Sequence, residues 1–122
     1  MTQLEIVKAY EALQRLTDLS LPLAKARAIY SMVKKADEHF QFAVKEEGKY
    51  VTEFNGTLAE DGNVSFATAD DMKGFSKKVE ALNKSEIEWD IPPVTLTEKD
   101  LGSQIITPKD IAALEGFVNF EA

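Results

Sequence analysis

Apolar residues return at helical spacing along much of this chain, and the breaks between the runs divide it into elements. Ile6, Ala9, Tyr10, Leu13 and Leu16 fall three or four residues apart, which predicts a helix over about 3–17 with one buried face. Thr2 and Glu5 of "TQLE" supply its capping box, the hydroxyl taking the N3 amide while the carboxylate reaches back. "TDLSLP" ends that run. Pro22 then suits the first turn of a new helix, where no intrahelical acceptor waits for the N–H it lacks.

From Pro22 onward Ala26, Ile29, Tyr30, Val33, Ala36, Phe40, Ala43, Val44, Val51 and Phe54 keep one rhythm until Asn55 and Gly56 break it. The run predicts a single helix over about 22–54, weakened at Gly48 by about 1 kcal/mol relative to alanine. At 1.5 Å per residue it would be roughly 50 Å long, whereas a compact domain of this size is only about 35 Å across. Its far end, with Val51 and Phe54, is therefore expected to pack against another copy, which makes the protein a homo-oligomer.

"TLAEDGNVSF" reads as a short antiparallel hairpin turning at Gly62 and Asn63. Thr68, three residues before Asp71, caps a third amphipathic helix marked by Met72, Phe75, Val79 and Leu82. "EIEWDI" alternates strictly. It predicts a strand with Ile87, Trp89 and Ile91 inward and Glu86, Glu88 and Asp90 in water, ended by Pro92 and Pro93 and followed by a short edge strand at "VTL". In "TPKD", Thr107 as N-cap, Pro108 at N1 and Asp110 at N3 open a short C-terminal helix to about 115. Phe117, Val118 and Phe120 leave an apolar tail that needs a place to dock. The expected class is α+β and mainly helical: a helical hairpin with one long helix, a small antiparallel sheet and a short C-terminal helix, in a single domain over 1–122.

Charge narrows the classes of function. The 122 residues hold 21 acidic and 14 basic side chains and no cysteine, for a formal net charge of −7. Such a balance disfavours general binding to nucleic acid or to anionic membranes, and the missing thiols exclude disulfides and cysteine chemistry. No apolar run approaches the roughly 18 to 20 residues of a membrane span, and the first residues lack a signal-peptide pattern, so the expected location is the cytoplasm.

Catalytic signatures are missing too. No Gly-x-Ser-x-Gly elbow or glycine-rich phosphate loop occurs, and the lone His39 projects almost opposite the apolar stripe without a nucleophile to serve. Glu86, Glu88 and Asp90 share one strand face, yet nothing nearby completes a metal shell, and Glu60, Asp61 and Asn63 lack the spacing of a calcium loop. No enzyme activity, cofactor or metal is expected.

The cations of "LSLPLAKARAIYSMVKK" carry the one candidate site. With the apolar stripe of the long helix centred near Val33 and Ala26, Arg27 and Lys34 fall together with Lys45 about 100° to one side, at the border of the buried face. Lys25 falls on the other border and Lys35 points away. Two readings stand. In one, Lys25, Arg27 and Lys34 line a cleft between subunits for a small phosphate-bearing ligand, with Tyr30 stacked on its base. In the other, the same cations pair with Glu5, Glu11 or Asp18 of the first helix, or with Glu38 one turn on.

The order of "ALQRL", "LSLPLAKARAIYSMVKK", "EDGN", "FSKKVEALNKSEIEWDIPPVTL" and "ITPKDIAALEGFV" is similar to that in a family of small uncharacterised proteins encoded by bacteriophages and prophages. The resemblance covers nearly the whole chain and departs from the family near Gly48, where the family helix is uninterrupted and charged. It implies a phage origin, hence a site of action in the cytoplasm of the bacterial host, and carries no catalytic residues over. Together these features predict a non-enzymatic oligomeric counter-defence protein that sequesters a small nucleotide-type immune signal. The alternatives are a virion structural or assembly protein with the long helix as its oligomer seam, and an acidic inhibitor of a basic host protein.

Overall fold

The computed structural model describes residues 1–122. Helix α1 (Gln3–Arg15) starts at the Thr2/Glu5 capping box and tightens at its end into a 3-10 turn over Leu16–Asp18. Helix α2 (Leu23–Glu53) begins after Pro22 and runs unbroken through Gly48. Strands β1 (Thr57–Leu58) and β2 (Val64–Ser65) form the antiparallel hairpin, and α3 (Ala69–Lys84) follows with Thr68 as its cap. Strand β3 (Val94–Thr97) leads directly into α4 (Glu98–Leu101), and α5 (Pro108–Ala113) precedes β4 (Val118–Glu121).

The main core lies where α1 packs on the first half of α2. Ile6, Ala9, Leu13 and Leu16 of α1 and its turn meet Ile29, Met32 and Ala36 of α2. Leu96, Leu114, Phe117 and Val118 close it from the C-terminal side. The apolar tail docks by adding β4 to β3 in parallel, with Val94 opposite Val118 and Leu96 opposite Phe120. Parallel pairing needs a crossover between the strands, and α4 and α5 provide it. Gly116, at φ +83, makes the turn that delivers Phe117 to the core.

Several expectations change. Residues 86–91 do not become a sheet strand, although their burial alternates as predicted. Only Glu86 bridges, to Thr2, and the segment is tied instead by single contacts: the Ile87 amide donates to the Met1 carbonyl at 2.7 Å and the Glu88 carbonyl accepts from Lys35 at 3.0 Å. The prolines that follow it have no N–H to extend a ladder. The C-terminal helix ends at Ala113 rather than near 115.

The far end of α2 is covered by its own chain. Val51 and the hairpin's Val64 both lie against Gly56, the Phe54 ring fits over Gly74 of α3, and Phe66 and Phe75 have ring centroids 4.9 Å apart. A side chain at Gly74 would run into that ring. The length of α2 therefore does not demand a second copy at this end, because α3 folds back along it.

The largest correction concerns the rotation of α2. Its buried residues are Ile29, Met32, Ala36 and Ala43, which centre the core face about 70° round from Val33, at 100° per residue. Tyr30 and Val44, both in the expected stripe, are exposed, and Met32, which the stripe omitted, is fully buried.

Candidate functional site

Rotation of α2 redistributes the four cations. Lys25 comes into line with the core direction, and its ammonium lies 2.5 Å from Asp100 Oδ2. Asp100 is also the N3 residue of the α4 capping box, accepting from the Thr97 amide at 2.9 Å. Hydrogen bonds from Lys25 and from the Thr97 amide hold its carboxyl below the usual carboxylate range. Lys25 is thus a strut between α2 and α4, and the structure takes it out of the proposed ligand set.

Lys35 does not point away. Its ammonium sits 2.8 Å from Asp90, 3.0 Å from the Glu88 carbonyl and 5.2 Å from the Trp89 ring centroid. It pins residues 88–90 to α2, while Trp89 makes an edge contact with Phe117 at 5.0 Å. Interhelical pairing is therefore the correct reading for Lys25 and, in kind, for Lys35. The acids involved are Asp100 and Asp90 rather than Glu5, Glu11, Asp18 or Glu38. Nothing in the helical spacing pointed to Asp100, because the contact joins residues 75 apart in sequence.

Arg27 and Lys34 end up almost opposite the core. Both are exposed, and no carboxylate lies within salt-bridge distance of either. Tyr30, 67% exposed, stands between them, and Leu23, 66% exposed, precedes Arg27 by one turn. Seven residues of helix place Arg27 and Lys34 about 10 Å apart along the axis. The structure keeps Arg27, Tyr30 and Lys34 together, as a convex stripe instead of a cleft wall.

Beside Tyr30 the surface dips into a notch of about 140 Å³. Ala26, Ile29, Tyr30 and Val33 of α2 form one wall, and Leu16, Thr17, Leu19 and Leu21 of the connection from α1 form the other. The notch exists because the 3-10 turn tightens the chain after Leu16 and Leu19 is extended, so the short crossing to Pro22 spans the gap without filling it. Periodicity could not reveal it, since its second wall is irregular chain.

Larger depressions are less organised. A groove of about 420 Å³ between α1 and α3 is lined by Leu4, Phe75 and Val79 with Glu80, Asn83 and Lys84, and one of about 530 Å³ separates α1 from α5. Glu80, lowered by Lys84, is the one group of shifted pKa that lines either of them. Burial raises the Asp110 carboxyl, but the Thr107 amide and hydroxyl and the Arg15 guanidinium outweigh it and hold it low. Asp90 is lowered first by Lys35, Glu80 by Lys84, and Glu5 by the Thr2 amide. The single histidine, His39, is lowered by desolvation and by Lys35, while its carbonyl accepts from the buried Gln3 side chain at 2.7 Å. The Tyr10 hydroxyl is raised by its hydrogen bond to Asp37. Each displaced group is thus explained by a helix cap, an ion pair, a side-chain hydrogen bond or burial, and no two share a cavity.

Fold and surface together define a mainly helical α+β protein with one exposed cationic and aromatic helix face above an apolar notch, and no helix long and apolar enough to cross a membrane. Compared with protein-family models, curated proteins and solved structures, the chain matches none.

Proposed function

We propose that this protein is a non-enzymatic binding protein whose working surface is the Arg27–Tyr30–Lys34 stripe of α2, and that its partner is anionic. One observation carries the reading: two cations on one helix face lack acid partners and flank a mostly exposed tyrosine, in a chain of net charge −7. Lys25 and Lys35 of the same helix are by contrast held by Asp100 and Asp90. A role against host defence fits the resemblance to phage-encoded proteins. The smallest partner of this kind, a nucleotide-type signal, would need walls from a second copy, since one chain offers a convex stripe and a notch well below the roughly 300 Å³ of ordinary ligand pockets.

Thermal unfolding in the presence of ADP-ribose, cyclic nucleotides and polyglutamate tests the reading. A bound anion at a hundredfold excess over its Kd should raise the Tm by about 10 °C for a chain of this size. The shift should vanish in the double variant Arg27→Glu/Lys34→Glu with its own Tm preserved. If no anion moves the Tm, or if the double variant responds like the parent chain, the stripe is not the working surface.

A further inference from the structure

We infer that the open edge of β4 takes a second copy of this chain, antiparallel, so that two β3–β4 pairs join into one four-stranded sheet. The inference is independent of the α2 face and starts from hydrogen bonds. The Val94 amide donates to the Phe117 carbonyl at 3.0 Å, and Val94 stands opposite Val118. In a parallel ladder that register turns the backbone groups of Asn119 and Glu121 towards β3 and those of Val118 and Phe120 away from it. The Val118 amide bends back to the Leu114 carbonyl at 2.9 Å, but no turn, loop or cap takes up the Phe120 amide, the Phe120 carbonyl or the Val118 carbonyl. Among the helices and strands, only β3 packs along β4.

The two edges of the pair are not alike. β3 is preceded by Pro92 and Pro93, which have no amide to give, and its Thr97 amide is already held by Asp100 at 2.9 Å. Such devices keep a strand from recruiting another. β4 has no proline or lysine, its register is unbroken, and its Phe120 is only half-buried.

A second β4 fits that edge in one register. A hydrogen-bonded antiparallel pair exchanges two bonds, so a two-fold axis through Phe120 lets each Phe120 amide meet the other copy's Phe120 carbonyl. An axis through Asn119 would need the Val118 amide, which Leu114 already holds. An axis through Glu121 would set two carboxylates face to face. In the Phe120 register Asn119 stands opposite Glu121 of the second copy, an amide facing a carboxylate, and both residues are exposed. On the inner face the two Phe120 side chains become neighbours and cover each other's exposed half.

A strand of four residues makes a small interface, so a Kd of about 0.1 mM is expected. Sedimentation equilibrium of the unaltered full chain up to about 1 mM reads it, in about 0.5 M salt to screen the net charge of −7 on each copy. Asn119→Glu sets acids opposite each other twice by symmetry and should weaken the dimer about tenfold, whereas Asn119→Lys should tighten it about fivefold. The chain has no cysteine, so Asn119→Cys/Glu121→Cys gives a second readout. Residues of a non-bonded pair have Cα atoms about 4.5 Å apart, within disulfide reach, and the double variant should oxidise to a covalent dimer that neither single variant forms. A monomer at every concentration overturns the inference. A dimer that ignores both Asn119 substitutions and gives no covalent product in the double variant is joined elsewhere, and overturns it as well.

Discussion

Met32 and Val33 are adjacent on α2, and replacing each by alanine decides which way the helix faces. Met32 is fully buried among α1 and the C-terminal elements, whereas Val33 is half-buried on the wall of the notch. Met32→Ala removes three heavy atoms from a packed site, about 2 kcal/mol of transfer free energy, and the residual cavity brings the loss to about 3 kcal/mol. Val33→Ala removes two methyl groups whose surroundings are already partly open, and about 1 kcal/mol is expected. Unfolding entropy for 122 residues is about 0.26 kcal/mol per degree, so the Tm should fall by about 12 °C and about 4 °C respectively. Circular dichroism melts of the two variants read both numbers. A larger loss for Val33→Ala than for Met32→Ala would refute the rotation, return Arg27 and Lys34 to the edge of the core, and restore a cleft at that border.

Two further outcomes follow from the ion pairs. Lys25→Ala should lower the Tm by unfastening α4 from α2 while anion binding keeps its affinity; a binding loss equal to that of Arg27→Glu/Lys34→Glu would put Lys25 back in the site. Asp110 has a folded pKa below its ordinary 3.8, so its contribution is complete above about pH 4 and disappears as the pH falls through the lower folded value. Urea midpoints should therefore drop between neutral pH and about pH 2, and less steeply in Asp110→Asn; identical slopes in the two chains would show that the carboxyl is not linked to folding.

Helices α1, α3 and α5 were legible because each start is announced locally: Thr2, Thr68 and Thr107 accept from the amides three residues on. The one-turn α4 was not, although Thr97 and Asp100 form the same box, because four residues carry no periodic run. The parallel β3–β4 pair was not legible, since its partners are separated by two short helices and pairing across that distance leaves no periodic trace. For the same reason the alternation of 86–91 gave the right burial with the wrong hydrogen bonding. Ile87, Trp89 and Ile91 face inward whether the backbone bonds to a strand or to the Met1 carbonyl and Lys35.

The misjudged face of α2 has a physical cause that bears on function. A projected stripe is centred by all apolar residues, including those the fold leaves uncovered. Leu23, Tyr30 and Val44 are exposed and Val33 is half-buried, and all lie on the same side of the true core line. Tyr30, Val33 and Val44, which the stripe included, pulled its centre about 70° towards Arg27 and Lys34, so that two solvent-facing cations looked like border residues. A helix whose apolar stripe is wider than its buried face carries apolar surface with nothing of its own chain upon it. At the first half of α2 that surplus is Leu23, Tyr30 and the notch wall at Val33, and it lies beside Arg27 and Lys34, which have no acid partner. Uncovered apolar surface and unpaired charge on the same turns of helix are what a binding face has before its partner arrives, and neither would be stabilising for the chain alone.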